Sequence, residues 1–554
     1  MRISLIDKME ELQKLEAVWT DIYERDPESH FYLSWSWLEG YLKRTDDNWQ
    51  ILVATPDGAS EPVAFFPLRF ALRRNSKSGQ FSNGYAMAGN YAADYTGFLC
   101  LPEHEDKAIP AFATYLRQQR WAYLKLDYLR ISDRRKSLFV DGFSKKTFRR
   151  QNFQRVNKTD NVNNLICPYV DLADSFDDFL AEKLSSNMRQ KLRRLLRKVE
   201  GNEEFRITHA NAETIERDTE ILNGFWKLQW GHRKGTRLQA ILRSNKFMLT
   251  KGFEAGTLFM PLLWQGDRPL GVLGIFTDRV RKEMLFLVGG RDQEFNDFSA
   301  GLVLHAHAIR HAIENGYKRY DFLRGNEPYK YSFGSSERHI ECLVFSTRNG
   351  LNLGGKLAEQ SIATVFKQAT EYHKERKLKD AEVAYRQIIA TQPNHVGALY
   401  GLGQLLGAKE DERGAAKVFE SLLALSPRNR KAWIRLGQAH QKLGRHDKAV
   451  EAFREALAID GSLKVASYGL ARSLAELKQT REAIEVLQKL LRTAATAPEE
   501  RMVMNNASSL LSKLRPGPVH QHPLFAPEIP ARQPVIFIGQ NPCSSLTAKA
   551  PFKA

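Results

Sequence analysis

Apolar positions recur at helical spacing over Leu5–Tyr23 and Ser34–Lys43. They then shorten to strand-like runs at Gln50–Ala54 and Pro62–Phe70, on either side of the turn dipeptide Asp57-Gly58. A helix expected near 108–120 leads into a strand at Tyr123–Leu129. The same order returns downstream. Helices are expected near 174–199 and 212–232, and strands near 257–264 and 269–277 around the turn Gln265-Gly266-Asp267. A strand at Glu283–Val288 follows, then a helix over Ser299–Asn315 that feeds a strand at Lys318–Leu323. Short sequences mark the same place in both passes: LDYLR at 126–130 and YDFLR at 320–324, with Tyr123 and Tyr317 at the matching offset. The pattern predicts an α/β protein with a mixed sheet in each of two tandem halves, 1–165 and 166–350.

Beyond residue 350 the pattern becomes purely helical and periodic. Ala381, Ala415, Ala449 and Ala483 are evenly spaced. Each is followed four residues on by a large apolar side chain, Tyr385, Phe419, Phe453 or Leu487. Gly403 and Gly437 keep the same step, as do Pro393 and Pro427. The step of about 34 residues is that of a helix–turn–helix unit, with small residues where helices approach and an aromatic filling the space beside them. This segment, roughly 361–495, resembles the tetratricopeptide repeat (TPR) family, and 432–460 matches its pattern best. The resemblance implies an all-α solenoid whose concave groove binds a protein partner. A spacer or an oligomerisation element is the alternative. The segment 517–554 is rich in proline and lacks periodicity, which predicts a disordered tail.

Composition narrows the class. Of 554 residues, 43% are hydrophobic and 26% charged, as in an ordinary globular chain rather than a disordered one. The net charge of +18 favours anionic partners without choosing among phosphates, nucleic acid and a lipid surface. Cys100, Cys167, Cys342 and Cys543 are scattered and form no CxxC, which argues against a zinc ribbon, a dithiol redox site or a disulfide scaffold. No signal-peptide core and no apolar run of membrane-spanning length is present. A cytoplasmic protein is expected, with peripheral membrane association left open.

The strand ending in Val288-Gly289-Gly290 and the helix opening at Ser299-Ala300-Gly301-Leu302 bracket one loop. Ser299 suits an N-cap, and the small residues after it permit close backbone approach. A helix start offers free N–H groups and partial positive charge, which suits a pyrophosphate. Residues 165–345 resemble the GNAT acyltransferase superfamily, in its branch associated with cellulose and exopolysaccharide biosynthesis (CelD-like). The sequence FSAGLVLHAHAIRHAIENGYKRYDFLRGNEPYKYSFG (298–334) carries the resemblance, with LSSNMRQKLRRLLRKVE (184–200) and FWKLQWGHRKG (225–235). That branch has Pro-Gly after the loop serine, where this chain has Ala300-Gly301. The tandem halves are similar to FemAB-type aminoacyltransferases.

The resemblance implies transfer of an acyl group from acyl-CoA, such as acetyl-CoA, to an amine or hydroxyl acceptor. The donor would sit at Val288, Gly289, Ser299, Ala300, Gly301 and Leu302. Such transfer needs a base, an acid for the leaving thiolate and groups that orient the reactants. The loop after the last strand offers Asp321 or Glu327 as base and Tyr329 as acid, with Arg324 and Lys330 to hold anionic groups. Asp321 also reads as a structural carboxylate, as does Asp127 in the first half.

On 184–198 an apolar face of Leu184, Met188, Leu192, Leu195 and Leu196 sits beside Arg189, Arg193 and Arg197. Those arginines form either a substrate clamp or a solvated face. Trp226 is a candidate acceptor-pocket wall or a core residue. His307 and His311 are one helical turn apart but have no third ligand in view, so no metal is expected. No GxSxG is present to support a serine hydrolase. Two other readings stay open: a FemAB-like transferase using aminoacyl-tRNA, and a non-catalytic assembly factor working through its repeats.

Overall fold

A computed structural model describes residues 1–44, 48–89 and 92–515. The segment 517–554, expected as a disordered tail, lies outside the described residues. The chain divides into two units, Met1–Arg428 and Asn429 onward. The first holds two mixed sheets and four helices of the repeat region; the second continues the helices.

The opening residues RISLI form a strand, Arg2–Ile6, rather than the start of the expected helix. They pair antiparallel with Asn48–Thr55, so Ile51 opposes Ile6 and Thr55 opposes Arg2. Helices Met9–Gln13 and Glu16–Arg25 follow. The first sheet runs in the order Arg2–Ile6, Asn48–Thr55, Ala64–Arg74, Phe81–Met87, Tyr123–Leu129, Glu341–Thr347, Phe148–Asn152. The second runs Phe205–His209, Pro261–Gln265, Arg268–Asp278, Glu283–Arg291, Arg319–Asp321, Ile166–Asp171, Ser336–His339. Each has one parallel pair at the corresponding place, Phe81–Met87 with Tyr123–Leu129 and Glu283–Arg291 with Arg319–Asp321. Helix Glu105–Gln118 or Ala300–Glu314 supplies the crossover that such a pair requires.

The halves exchange strands. Glu341–Thr347 leaves the second half and pairs with Tyr123–Leu129 of the first, placing Leu343 opposite Leu126 and Phe345 opposite Leu124. Ile166–Asp171, which follows the first half, pairs with Arg319–Asp321 in the second sheet, with Tyr169 opposite Asp321. Leu343 and Phe345 enter the core under Phe112 and Phe139, while Val170 enters the other core beside Leu180 and Tyr320. Neither sheet is complete without chain from beyond the other half.

The long helix expected at 174–199 is two helices, Phe176–Lys183 and Ser186–Glu200. Ser185 ends the first run by accepting from the Met188 N–H, the cap that starts the second. Helices Ile215–Lys234 and Leu238–Glu254 follow, the latter unforeseen from the sequence.

The repeat region opens with Ile362–Lys374, Leu378–Thr391, Val396–Ala408 and Glu412–Leu425 in the first unit. In the second unit, Arg430–Lys442, His446–Ile459, Lys464–Glu476, Thr480–Leu491 and Pro498–Leu514 continue it. The periodic glycines explain themselves here. A Cβ on Gly403 would stand 2.7 Å from the Phe419 ring, and one on Gly437 would stand 2.7 Å from Phe453. The first repeat is seated on the first sheet. The Gln387 side chain accepts from the Phe81 N–H at 2.8 Å and donates to its carbonyl at 3.0 Å, as a strand neighbour would.

Candidate active site

The parallel pair in the second sheet is short. Glu283 lies opposite Arg319, Met284 opposite Tyr320 and Leu285 opposite Asp321, and there the pairing ends. The strand Glu283–Arg291 continues, still paired on its other side with Arg268–Asp278 through a register shift at Gly274/Ile275. Past Leu285 the two parallel strands part, and residues 286–290 are half-buried rather than buried. Helix Ala300–Glu314 begins beyond this parting. Ser299 accepts from the Leu302 N–H through its hydroxyl and from the Val303 N–H through its carbonyl. That leaves the Ala300 and Gly301 N–H groups without a partner among the described residues in the first turn. A Cβ on Gly301 would meet nothing within 4 Å, so this end of the helix faces open space.

The strand end and the other residues predicted for the donor are placed differently. Gly290 is covered: a Cβ there would lie 2.6 Å from the Phe225 Cβ and 3.2 Å from the Leu222 carbonyl. A Cβ on Gly289 would press on Leu273 at 2.9 Å. These glycines seat helix Ile215–Lys234 and the neighbouring strand. Val288 packs with that helix layer, near Leu222 and Leu249. Ala300 is buried beneath Gly271, while Leu302 joins the rim of the core.

Of the residues expected to do chemistry, Asp321 is fully buried. Its carboxylate accepts from Arg338 at 2.6 Å, from the Tyr95 hydroxyl at 2.9 Å and from the Leu323 N–H at 2.8 Å. Arg324 forms an ion pair with Asp94 and lies 3.8 Å over the Tyr128 ring. Both contacts cross to the first half. Lys330 is buried, with its ammonium on the Arg324 and Gly325 carbonyls at 2.8 and 2.9 Å and 2.9 Å from Glu327. It therefore fixes the loop's shape.

Glu327 and Tyr329 are the members left accessible, at 38% and 40% exposed. The Tyr329 ring lies 5.8 Å from that of His305. His305 donates to or accepts from the Tyr320 hydroxyl at 2.9 Å and packs edge-on against Phe286, at the parting of the strands. Burial first, and the Lys330 charge second, push its pKa down to about 3. Nothing in the sequence marks His305, because one histidine on an apolar helix face reads as core.

Arg189 and Arg193 are engaged by the chain just before their helix. Arg189 donates to the Ala181 carbonyl at 3.3 Å and Arg193 pairs with Asp177 at 2.9 Å, so both tie helix Ser186–Glu200 to the preceding one. Lys191 and Arg194 point outward and make no ion pair among the described residues. Trp226 is half-buried, with the Lys234 ammonium 5.9 Å over its ring. His307 meets His209 at 2.8 Å between Nε2 atoms rather than a metal-type cluster, and no group of metal-ligating side chains is found among the described residues.

Residues 186–331 match the family model of the acetyltransferase (GNAT) domain. Residues 431–463 and 465–495 match tetratricopeptide repeat models. The chain is a mixed α/β region carrying a GNAT-type acetyltransferase domain, followed by helical TPR repeats. Among curated proteins, Superkiller protein 3 of Saccharomyces cerevisiae is 31% identical over 88 residues, 16% of this chain. The chain spans only 6% of that protein's length. Among solved structures, FemX is 12% identical, with 62% of this chain covering 97% of that one at a TM-score of 0.44. MamA is 21% identical over 24% of this chain and 77% of its own, with a TM-score of 0.23. YrrB, described as a TPR protein with an unusual peptide-binding site, is 18% identical over 27% of this chain and 77% of its own, with a TM-score of 0.24. No helix among the described residues is long and apolar enough to cross a membrane.

Proposed function

We propose that the protein is an acyl-CoA-dependent N- or O-acyltransferase. The observation that carries this reading is the parting of the strands beyond Leu285 and Asp321, beside a helix start whose Ala300 and Gly301 N–H groups have no partner among the described residues. The helix start suits the donor's pyrophosphate. The parted strand offers main-chain groups along which an extended pantetheine arm would lie, and the loop from Arg324 to Lys330 borders the thioester. The acceptor's nitrogen or oxygen attacks the thioester carbonyl, the C–S bond breaks, and the acceptor's proton must leave. Glu327 is the base in this reading. Tyr329, whose phenol is pushed up by burial first and by the Glu327 charge second and so is protonated at neutral pH, returns a proton to the departing thiolate. Asp321, Arg324 and Lys330 position that loop. The acceptor belongs to polysaccharide biosynthesis, and the TPR groove holds a protein partner; both rest on the family resemblance.

The test is calorimetric titration with acetyl-CoA and longer acyl-CoAs, on the wild type and on Gly301→Trp. Open space at Gly301 lets the larger side chain be accommodated. Saturable binding lost in the variant supports the reading. Absence of binding to every acyl-CoA overturns it and makes aminoacyl-tRNA the next donor to try.

A further inference from the structure

Two helices from the two halves face each other without filling the space between them. On helix Trp35–Arg44, positions 37, 40, 41 and 44 form one face. On helix Leu238–Glu254, positions 244, 247, 248 and 251 form the opposing face. Packed helices put large side chains at such positions. Here Gly40 and Ser244 stand among them, and a cleft of about 220 Å³ remains. A Cβ on Gly40 would meet nothing within 4 Å, so the glycine leaves the cleft open rather than permitting close helix contact.

The walls are aromatic and already ordered. Trp37 and Tyr41 stack at 5.5 Å with their planes 6° apart, and Phe31 stacks on Phe276 at 4.7 Å. Phe247 and Met248 form the opposite side. Stacked rings held in place before a ligand arrives lower the ordering cost of binding. Charge is confined to the edge, where Arg44 and Lys251 line the opening. Arg44 lies 4.0 Å over the Phe247 ring and has no acidic partner among the described residues, while Lys251 is paired with Glu254. An apolar body with a cationic rim and no acidic group in its lining among the described residues selects an amphipathic anion. Size sets a further limit: a cavity of roughly 150 Å³ holds benzene, so this one takes a somewhat larger body.

We propose that this cleft is a binding site for a small amphipathic carboxylate, an alkyl or aryl body of about benzene size or slightly more with one anionic head at Arg44. The site does not depend on acyl-CoA binding. Its floor residue Phe276 pairs with Leu285, the last residue before the strands part, so one strand spacing of about 5 Å separates it from the candidate active site.

The experiment is calorimetry on the full chain with octanoate, 3-phenylpropionate, octanol and glucuronate as probes. Octanoate and phenylpropionate are expected to saturate. Gly40→Trp is expected to abolish that binding with the thermal midpoint unchanged. Arg44→Ala is expected to weaken octanoate about tenfold and leave octanol unaffected. Octanoate binding equally to Gly40→Trp overturns the site. Equal loss of octanoate and octanol in Arg44→Ala, or glucuronate binding without octanoate, overturns the assigned ligand class. Acyl-CoA titration of Gly40→Trp keeps the two proposals apart, since donor binding should persist there.

Discussion

The guanidinium of Arg338, 17% exposed, lies 2.6 Å from the carboxylate of Asp321, which is fully buried. The first half repeats the arrangement with Arg155 2.7 Å from Asp127. In each case the aspartate stands on the strand that completes the parallel pair, and the arginine arrives from the region that leads into the exchanged strand. Asp321 also accepts from Tyr95 in the other half, so this pair joins the two halves.

Losing one member of such a pair leaves a buried charge uncompensated. Asp321→Ala is expected to cost about 3–5 kcal/mol in urea unfolding. Asp321→Ala combined with Arg338→Met should recover much of that loss, because the stranded charge is gone. If stability is unmoved by Asp321→Ala while acyl transfer disappears, the positioning role is wrong and Asp321 belongs among the reacting groups.

Gly290 and Gly301 look alike in sequence, each a glycine beside the presumed donor loop, and the structure separates them. Gly290→Ala drives a methyl into the Phe225 Cβ and the Leu222 carbonyl, an overpacking expected to cost roughly 1–3 kcal/mol. Gly301→Ala enters open space on a helix and should leave stability equal or raise it by up to about 1 kcal/mol. Parallel thermal melts of the two variants decide this.

That contrast shows what the sequence conveys. The TPR period was legible because its small and aromatic positions recur at a fixed step, and packing of Gly403 on Phe419 makes each position matter. The helix expected at 299–315 and the turn at 265–267 were legible because a cap serine and a Gly-Asp pair act locally. The strand exchange was not, since Glu341–Thr347 pairs with residues some two hundred positions earlier and carries no local mark of its destination. Gly289 and Gly290 misled for a related reason. A missing Cβ admits a phosphate or a helix equally, and only the helix's position tells which. The arginines of Ser186–Glu200 show the same limit: their spacing is plain in the sequence, but Asp177 and the Ala181 carbonyl, which hold two of them, lie outside the helix.

His305 predicts an acid-sensitive fold. It is 3% exposed, and its pKa is pushed down to about 3 by burial first and by the Lys330 charge second. The folded protein keeps the ring neutral, whereas the unfolded chain takes up a proton below about pH 6.5. Stability from this group is therefore full above pH 6.5 and falls as pH drops toward 3, after which the loss levels off. The slope approaches about 1.4 kcal/mol per pH unit, on the order of 5 kcal/mol in all at its upper bound. His307, pushed down to about 4 by burial and then by His209, adds a loss of the same sign over a narrower window. Urea unfolding at pH 7, 6, 5 and 4 should show a steeper decline for wild type than for His305→Gln, whose amide can bond Tyr320 without titrating. Equal slopes would remove His305 as the cause.

Gln387 offers a test of how the repeats are seated. Its amide bonds both the N–H and the carbonyl of Phe81, whose side chain is buried. An adjacent tie runs from Asn352, which accepts from the Asn83 N–H at 2.8 Å. Replacing Gln387 with Leu keeps the volume and removes both bonds, leaving two main-chain groups without partners at a cost of about 1–3 kcal/mol each. If the first repeat were joined only by a passive linker, that change would be silent. Because the side chain stands in for a neighbouring strand, Gln387→Leu should instead raise amide hydrogen exchange at Phe81 while leaving exchange at Leu124 and Leu126, deep in the same sheet, unaltered. Protection lost evenly across the sheet would mean global destabilisation, and protection kept at Phe81 would mean that the amide bonds contribute nothing to the seat.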